Sequence, residues 1–249
     1  MDIEKLIREV SEEIGVKSEW RPEEYSSKGT KDSDVISRFE HSMTSPDLLI
    51  GTVLDACKQA RRFGIGAICI PPYYVTAAKQ ALRGSGVAVC AAIGIPNAIF
   101  SAEARLADAK YSLMSGADEL DVAINSMAIK SGNIEDARMD LSAVVRAAKG
   151  KADVKAAIEL SMFTEEERKL VLCMAKECGA AYVKIQNVLS GKGADVDDIQ
   201  YVRKILGRNV KIKIDGGVKT LEKAREIVAG GADRIGLSAT FAIAEEVWN

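Results

Sequence analysis

Hydrophobic and polar positions along this chain switch repeatedly between two periods. Short runs that alternate or are wholly apolar, at 34–40, 65–70, 87–93, 117–125, 154–159, 181–185, 210–215 and 232–236, predict strands. After each comes a longer stretch with apolar residues three and four apart, at 46–63, 71–83, 101–115, 133–149, 164–178, 195–206, 220–229 and 239–247, which predicts a helix. Boundary signals agree: Ser45-Pro46-Asp47 fits a helix start, and Thr164 followed by Glu167 fits a capping box. Eight strand-then-helix units in 249 residues, with no linker between them, match the arithmetic of an α/β (β/α)8 TIM barrel. An open doubly wound sheet is the alternative, but no Gly-x-Gly-x-x-Gly turn follows the first strand.

Ahead of the first unit, Ile3, Leu6, Ile7, Val10 and Ile14 form one stripe and predict an extra amphipathic helix over 2–15, ended by Gly15. A polar loop with a turn of helix around Trp20 is expected to follow. The division is therefore an N-terminal helix and loop over 1–33 and a barrel domain over 34–249.

In a barrel one face of each strand points into the lumen, and here that face is charged. The phase that turns Leu120, Val122 and Ile124 outward puts Glu119, Asp121 and Asn125 inside. The same argument places Lys155 and Glu159 inside from the fifth strand, and Tyr182, Lys184 and Gln186 from the sixth. The seventh gives Lys211, Lys213 and Asp215, and the first gives Arg38 and Glu40. One such residue is more simply a charge at a solvated strand end. Five strands agreeing in phase point to function, because barrel interiors are ordinarily filled by branched apolar side chains.

Composition narrows the chemistry. A net charge of −2 offers no basic footprint for nucleic acid, and no run approaches the ~18 apolar residues that cross a membrane. The acidic start and the odd number of cysteines, five without a Cys-x-x-Cys pair, predict a cytoplasmic chain with reduced, buried thiols. A single histidine, His41, argues against a histidine-based zinc or iron site.

Paired lysines in a lumen do suit another chemistry. A lysine amine attacks a carbonyl only when neutral, and at its reference pKa about one in ~2,500 is neutral at pH 7. A second ammonium ~6 Å away disfavours the charged form by ~2–3 kcal/mol at an effective dielectric of ~20, or ~2 pKa units. Lys184 and Lys213 are thus candidates for Schiff-base chemistry, with Asp121 to move protons. Replacing Lys213 is expected to raise the Lys184 pKa and leave the fold intact. Gly216-Gly217 and Gly236-Leu-Ser238 lie after strands seven and eight, where barrels commonly bind phosphate, and Gly191-Lys192-Gly193 adds to them.

Several stretches together carry a family resemblance. They are Gly66-Ala-Ile-Cys-Ile-Pro-Pro-Tyr-Tyr-Val75, Val87-Ala-Val-Cys-Ala-Ala-Ile-Gly-Ile-Pro96, Gly116-Ala-Asp-Glu-Leu-Asp-Val-Ala-Ile-Asn125, Val154-Lys-Ala-Ala-Ile-Glu159, Gly179-Ala-Ala-Tyr-Val-Lys184, Lys213-Ile-Asp-Gly-Gly-Val218 and Arg234-Ile-Gly-Leu-Ser238. In order and spacing the chain resembles the deoxyribose-phosphate aldolases, class I aldolases of the (β/α)8 fold. The resemblance implies Lys184 as Schiff-base nucleophile, Lys213 as its pKa-lowering neighbour and Asp121 as the proton-relay acid. Lys155 looks like a further lumen lysine in contact with substrate, and Gly216, Gly217, Gly236 and Ser238 match phosphate contacts. The implied reaction is reversible cleavage of 2-deoxyribose 5-phosphate to acetaldehyde and glyceraldehyde 3-phosphate with no metal or organic cofactor, in a homo-oligomer, most simply a dimer.

Three stretches depart from the family pattern: Glu40-His-Ser-Met-Thr-Ser-Pro46, Lys184-Ile-Gln-Asn-Val188 and Ser238-Ala-Thr240. The altered substrate shell is expected to weaken the phosphorylated substrate. The alternatives are a related Schiff-base aldolase for another aldehyde or ketone, and a non-catalytic barrel that binds a phosphometabolite.

Overall fold

Eight parallel strands close on themselves in sequence order, β1 to β8, with β8 hydrogen-bonded to β1. The computed structural model describes residues 31–95, 98–187, 191, 193 and 195–248. The strands are β1 (Phe39–Ser42), β2 (Ala67–Ile70), β3 (Ala88–Ile93), β4 (Glu119–Ala123), β5 (Asp153–Glu159), β6 (Tyr182–Gln186), β7 (Lys211–Asp215) and β8 (Arg234–Leu237). The helix expected over 2–15 and the turn near Trp20 lie outside the described residues. Among the described residues no helix is long and apolar enough to cross a membrane.

Helices follow the strands around the outside. They are α1 (Asp32–Ile36), α2 (Ile50–Phe63), α3 (Val75–Ala81), α4 (Ala102–Met114), α5 (Ser126–Lys130), α6 (Ile134–Ala148), α7 (Glu165–Glu177), α8 (Val196–Leu206), α9 (Leu221–Ala229) and α10 (Thr240–Trp248). Outward strand residues such as Leu120, Ile158, Val183, Ile212 and Ile235 are buried against helix residues such as Val53, Val144, Leu172, Ile199 and Ile227. The apolar core is thus the layer between sheet and helices, which leaves the lumen for polar groups.

The expected capping box is present: Thr164 accepts from the Glu167 N–H, and the Glu167 carboxylate accepts from the Thr164 N–H at 2.8 Å. Asp195 and Asp198 build a second one at α8.

Three boundaries differ from expectation. The strand expected at 34–40 is α1 followed by a β1 that begins at Phe39. Val35 and Ile36 are both buried, and Asp32 and Asp34 suit the first turn of a helix, so a short helix forms despite the strand propensity of Val35-Ile36. The helix expected from Pro46 begins at Ile50. Its start signal is used earlier: Ser45 Oγ donates to the Asp47 carboxylate, and the Leu48 N–H donates to Ser45 O at 3.2 Å, closing a separate turn. A short helix, α5, also interrupts the stretch after β4, and Asn125 caps it by accepting from the Ala128 N–H at 3.1 Å.

Candidate active site

Strand register stacks the inward residues in levels. Asp121, Lys155, Tyr182 and Lys211 are successive partners across β4 to β7. One level up, Ala123, Ala157, Lys184, Lys213 and Arg234 are partners, and above them stand Glu159, Gln186, Asp215 and Gly236. Glu40 of β1 pairs with Gly236 and Ala67, which puts it on the same face. The opposite wall of the lumen is small: Ala67, Cys69, Ala88, Cys90 and Ala92 fall in phase with these residues. Small side chains on β2 and β3 leave the volume that long lysine chains from β5, β6 and β7 occupy.

The ammonium groups meet on one carboxylate. Asp121 Oδ2 lies 2.9 Å from Lys184 Nζ and 2.6 Å from Lys213 Nζ, and Oδ1 lies 3.3 Å from Lys155 Nζ. Glu40 bridges Lys155, at 2.9 Å, and Lys213. Lys155 also meets Glu119 at 2.5 Å, and Arg234 meets Glu119 at 2.7 Å. Asp215 Oδ2 completes the network at 2.7 Å from Lys184. Four cations therefore face four carboxylates, which is what makes so many buried charges tolerable.

This balance alters the expected state of Lys184. Burial pulls its pKa down most, and Lys213 adds to that pull, as anticipated. Asp121 and Asp215 together outweigh both, and they hold the resting Lys184 ammonium above the ordinary lysine value. A neutral amine on Lys184 therefore requires the resting cluster to give up a proton. Asp121 is opposed by burial, but Lys155, Lys184 and Lys213 hold it well below the usual carboxylate range. Glu40 is likewise opposed by burial, and Lys155 and Lys213 bring it down to about 2.

Two thiols join the cluster. Cys90 Sγ is 3.3 Å from Asp121 Oδ1 and 3.3 Å from Lys155 Nζ, and Cys69 Sγ is 3.7 Å from Asp121 Oδ2. Burial and the neighbouring Cys69 and Asp121 push the Cys90 pKa well up, so it is a neutral donor. All five cysteines are free, as expected, and four are buried. Glu40, Cys69, Cys90 and Asp121 bring their ligand atoms within 4.8 Å of one another. A divalent ion among them would sit beside Lys155 and Lys213, which already contact both carboxylates.

Not every inward assignment reaches the lumen. Arg38 precedes β1, is half-buried and donates to Ala232 O at 2.8 Å. Asn125 lies beyond β4 and caps α5. Lys211 has the right phase but opens to solvent at the other end of the barrel, over the Tyr182 ring and 3.5 Å from Asp153. The lone histidine, His41, faces outward to Thr240 Oγ1 at 3.0 Å and the Phe241 ring, and burial lowers its pKa to about 4.

The glycine loops sit at the open, C-terminal end. Gly216 and Gly217 have φ of +83° and +81°, and Gly193 packs so tightly on Gly217 that a methyl there would fall 2.8 Å from its Cα. Ser238 is exposed beside them, whereas Gly236 is buried in the wall. The Gly216 N–H is already given to Gly236 O at 3.1 Å.

Relatives share most of this chain. A curated deoxyribose-phosphate aldolase from Geobacillus sp. is 34% identical over 214 residues, 86% of this chain and 96% of that protein. One from Bacillus cytotoxicus is 36% identical over 210 residues, 84% and 94% of the two chains. The chain belongs to the deoxyribose-phosphate aldolase family. A crystal structure provisionally named as a member, from Coccidioides immitis, superposes with a TM-score of 0.88 at 25% identity and covers 100% of this chain and 99% of its own. No family model matches the chain.

Sequence reasoning placed Lys184, Lys213, Asp121 and Lys155 in one lumen, and the structure brings them together. It missed Cys69 and Cys90 as lumen groups, because β2 and β3 are apolar throughout and show no alternation. It also left Glu40, Glu119, Arg234 and Asp215 without roles. The signal for them was charge balance: a lysine-rich lumen requires as many carboxylates.

Proposed function

We propose that this chain is a metal-independent class I aldolase that cleaves 2-deoxyribose 5-phosphate to acetaldehyde and glyceraldehyde 3-phosphate through a Schiff base on Lys184. The observation that carries this reading is the sharing of Asp121 Oδ2 by Lys184 and Lys213, at 2.9 and 2.6 Å, on adjacent strands of a family member's lumen. In this reading the neutral Lys184 amine adds to the substrate aldehyde, and loss of water gives an iminium that draws electrons from the C2–C3 bond. Lys213 opposes the charged form of Lys184, and Asp121 orients both ammonium groups.

Borohydride reduction in the presence of acetaldehyde, followed by peptide mass mapping, tests the assignment. The expected adduct is on Lys184, and labelling of other lysines alone would overturn it. A non-catalytic barrel would give no adduct.

The substrate shell supports a weakened phosphate site. Asn187, the amide that stands after β6, donates to Asp198 Oδ2 at 3.0 Å and to Gly193 O at 3.4 Å. With the Gly216 N–H committed to Gly236 O at 3.1 Å, a phosphate that uses this donor displaces an existing hydrogen bond. The preference for deoxyribose 5-phosphate over deoxyribose is therefore expected below ~10³-fold in kcat/KM, some 4 kcal/mol. A larger ratio in steady-state kinetics would show an intact phosphate site; a small one favours the related aldolase acting on another aldehyde.

We further place the enzyme in the cytoplasm, consistent with its free thiols. It is proposed to act as a homodimer, supported by the exposed Tyr111 and Met114 on α4 and Met139 on the adjoining α6, and light scattering on the full chain tests this.

A further inference from the structure

Lys184 Nζ touches two carboxylates, and they face opposite ways. Asp121 Oδ2, at 2.9 Å, is fully buried, and the Asp121 carboxylate also serves Lys213 and Lys155. Asp215 Oδ2, at 2.7 Å, belongs to the last residue of β7, and its side chain is 18% exposed at the open end. The barrel makes specific room for it. Gly236 stands opposite on β8, and a methyl there would fall 2.0 Å from Asp215 Oδ1 and 3.0 Å from Lys213 Cε. The Gly216 N–H to Gly236 O bond, at 3.1 Å, fixes the two strands at this level.

We propose that Asp215 is a further catalytic residue, the base that takes the proton of the substrate's β-hydroxyl during carbon–carbon cleavage and returns it in the aldol direction. This rests on the reading of Lys184 as the Schiff-base lysine. Once Lys184 is an iminium it keeps a single N–H, which Asp121 accepts from below, and Asp215 is released towards the substrate. The hydroxyl proton then passes to Asp215, and the O–H electron pair forms the new carbonyl. The C2–C3 bond breaks, its electrons form the C1–C2 double bond, and the iminium nitrogen becomes a neutral enamine. Asp121 is poorly placed for this step, since three ammonium groups and two thiols surround it and it has no face to the opening.

The test uses full-length Asp215→Asn and, separately, Gly236→Ala, which displaces the carboxylate without deleting it. The groups facing Lys184 are Asp121 from β4, Asp215 and Lys213 from β7 and Cys69 from β2. Removing the Asp215 charge takes away one of the influences that raise Lys184, so borohydride trapping of acetaldehyde should persist on Lys184 and its pH profile should move towards acid. Cleavage of deoxyribose 5-phosphate should fall by roughly 10²–10⁴-fold in kcat, the usual contribution of a general base. Gly236→Ala should show the same split between trapping and cleavage. Cleavage by Asp215→Asn within about threefold of the wild type would overturn the proposal. So would equal loss of trapping and cleavage, which would make Asp215 only a positioning partner of Lys184. If the wild-type chain itself is not labelled on Lys184, the Schiff-base reading fails instead.

Discussion

Replacing Lys213 with leucine should slow Schiff-base formation at pH 7 by about 10²-fold, and the lost rate should partly return in alkaline buffer. Lys184 and Lys213 share Asp121 Oδ2, so their ammonium groups lie within the ~6 Å at which Coulomb's law gives ~2 pKa units. Lys213 is among the groups that lower Lys184, and without it the Asp121 and Asp215 carboxylates act unopposed by a second cation. The fold, however, should not be spared as the sequence alone suggested. Lys213 is fully buried and neutralises both Glu40 and Asp121, and breaking such a pair from one side typically destabilises by ~3–5 kcal/mol. Urea melts should register that loss alongside the trapping kinetics. A variant with the wild-type pH–rate profile would remove Lys213 from the mechanism, whatever its stability.

The barrel was legible because its two periods are clean. Strands such as β4 alternate Glu119, Leu120, Asp121, Val122 without a break, and phase alone told lumen from core. Where the two signals compete, reading failed: Val35-Ile36 has strand composition but lies in a five-residue helix with acidic residues in its first turn. Turn chemistry at Ser45–Asp47 was indistinguishable from a helix cap, since the same hydroxyl can serve either.

The site was legible in its cations and much less so in its anions. Lysines on strands stand out because they are misplaced by ordinary propensity, so Lys155, Lys184 and Lys213 were found individually. Their protonation was not, because it depends on a sum over neighbours that only coordinates supply. The like-charge argument treated Lys184 and Lys213 as an isolated pair, yet they share Asp121, and Asp215 and Glu40 each add a further carboxylate. Glycine was ambiguous for a related reason. Gly236 resembled a phosphate loop in sequence, and in the folded chain its missing side chain also houses Asp215.

A stability loss of the same size is expected from Lys155→Met, and it separates a structural lysine from a substrate contact. Lys155 is fully buried, touches Glu40 at 2.9 Å, Glu119 at 2.5 Å and Asp121 at 3.3 Å, and lies over the Tyr182 ring, below the level of Lys184. It is the first of the cations that hold Glu40 at about 2 against burial. In the wild type that depressed pKa contributes stability that is fully present above the unfolded value of about 4.5 and is lost as pH falls towards 2. Without Lys155, burial should carry Glu40 upward. Lys213 still holds it down, so the Glu40 contribution should shrink, and the variant should lose less stability than the wild type as pH falls from about 4.5 towards 2. At pH 7 the deficit should be ~3–5 kcal/mol, or roughly 6–20 °C in Tm for a chain of this size. Thermal melts from pH 7 down to pH 2 measure both the deficit and its pH dependence. A melting temperature within ~2 °C of wild type, together with a raised KM for the phosphorylated substrate, would instead make Lys155 a substrate-binding residue.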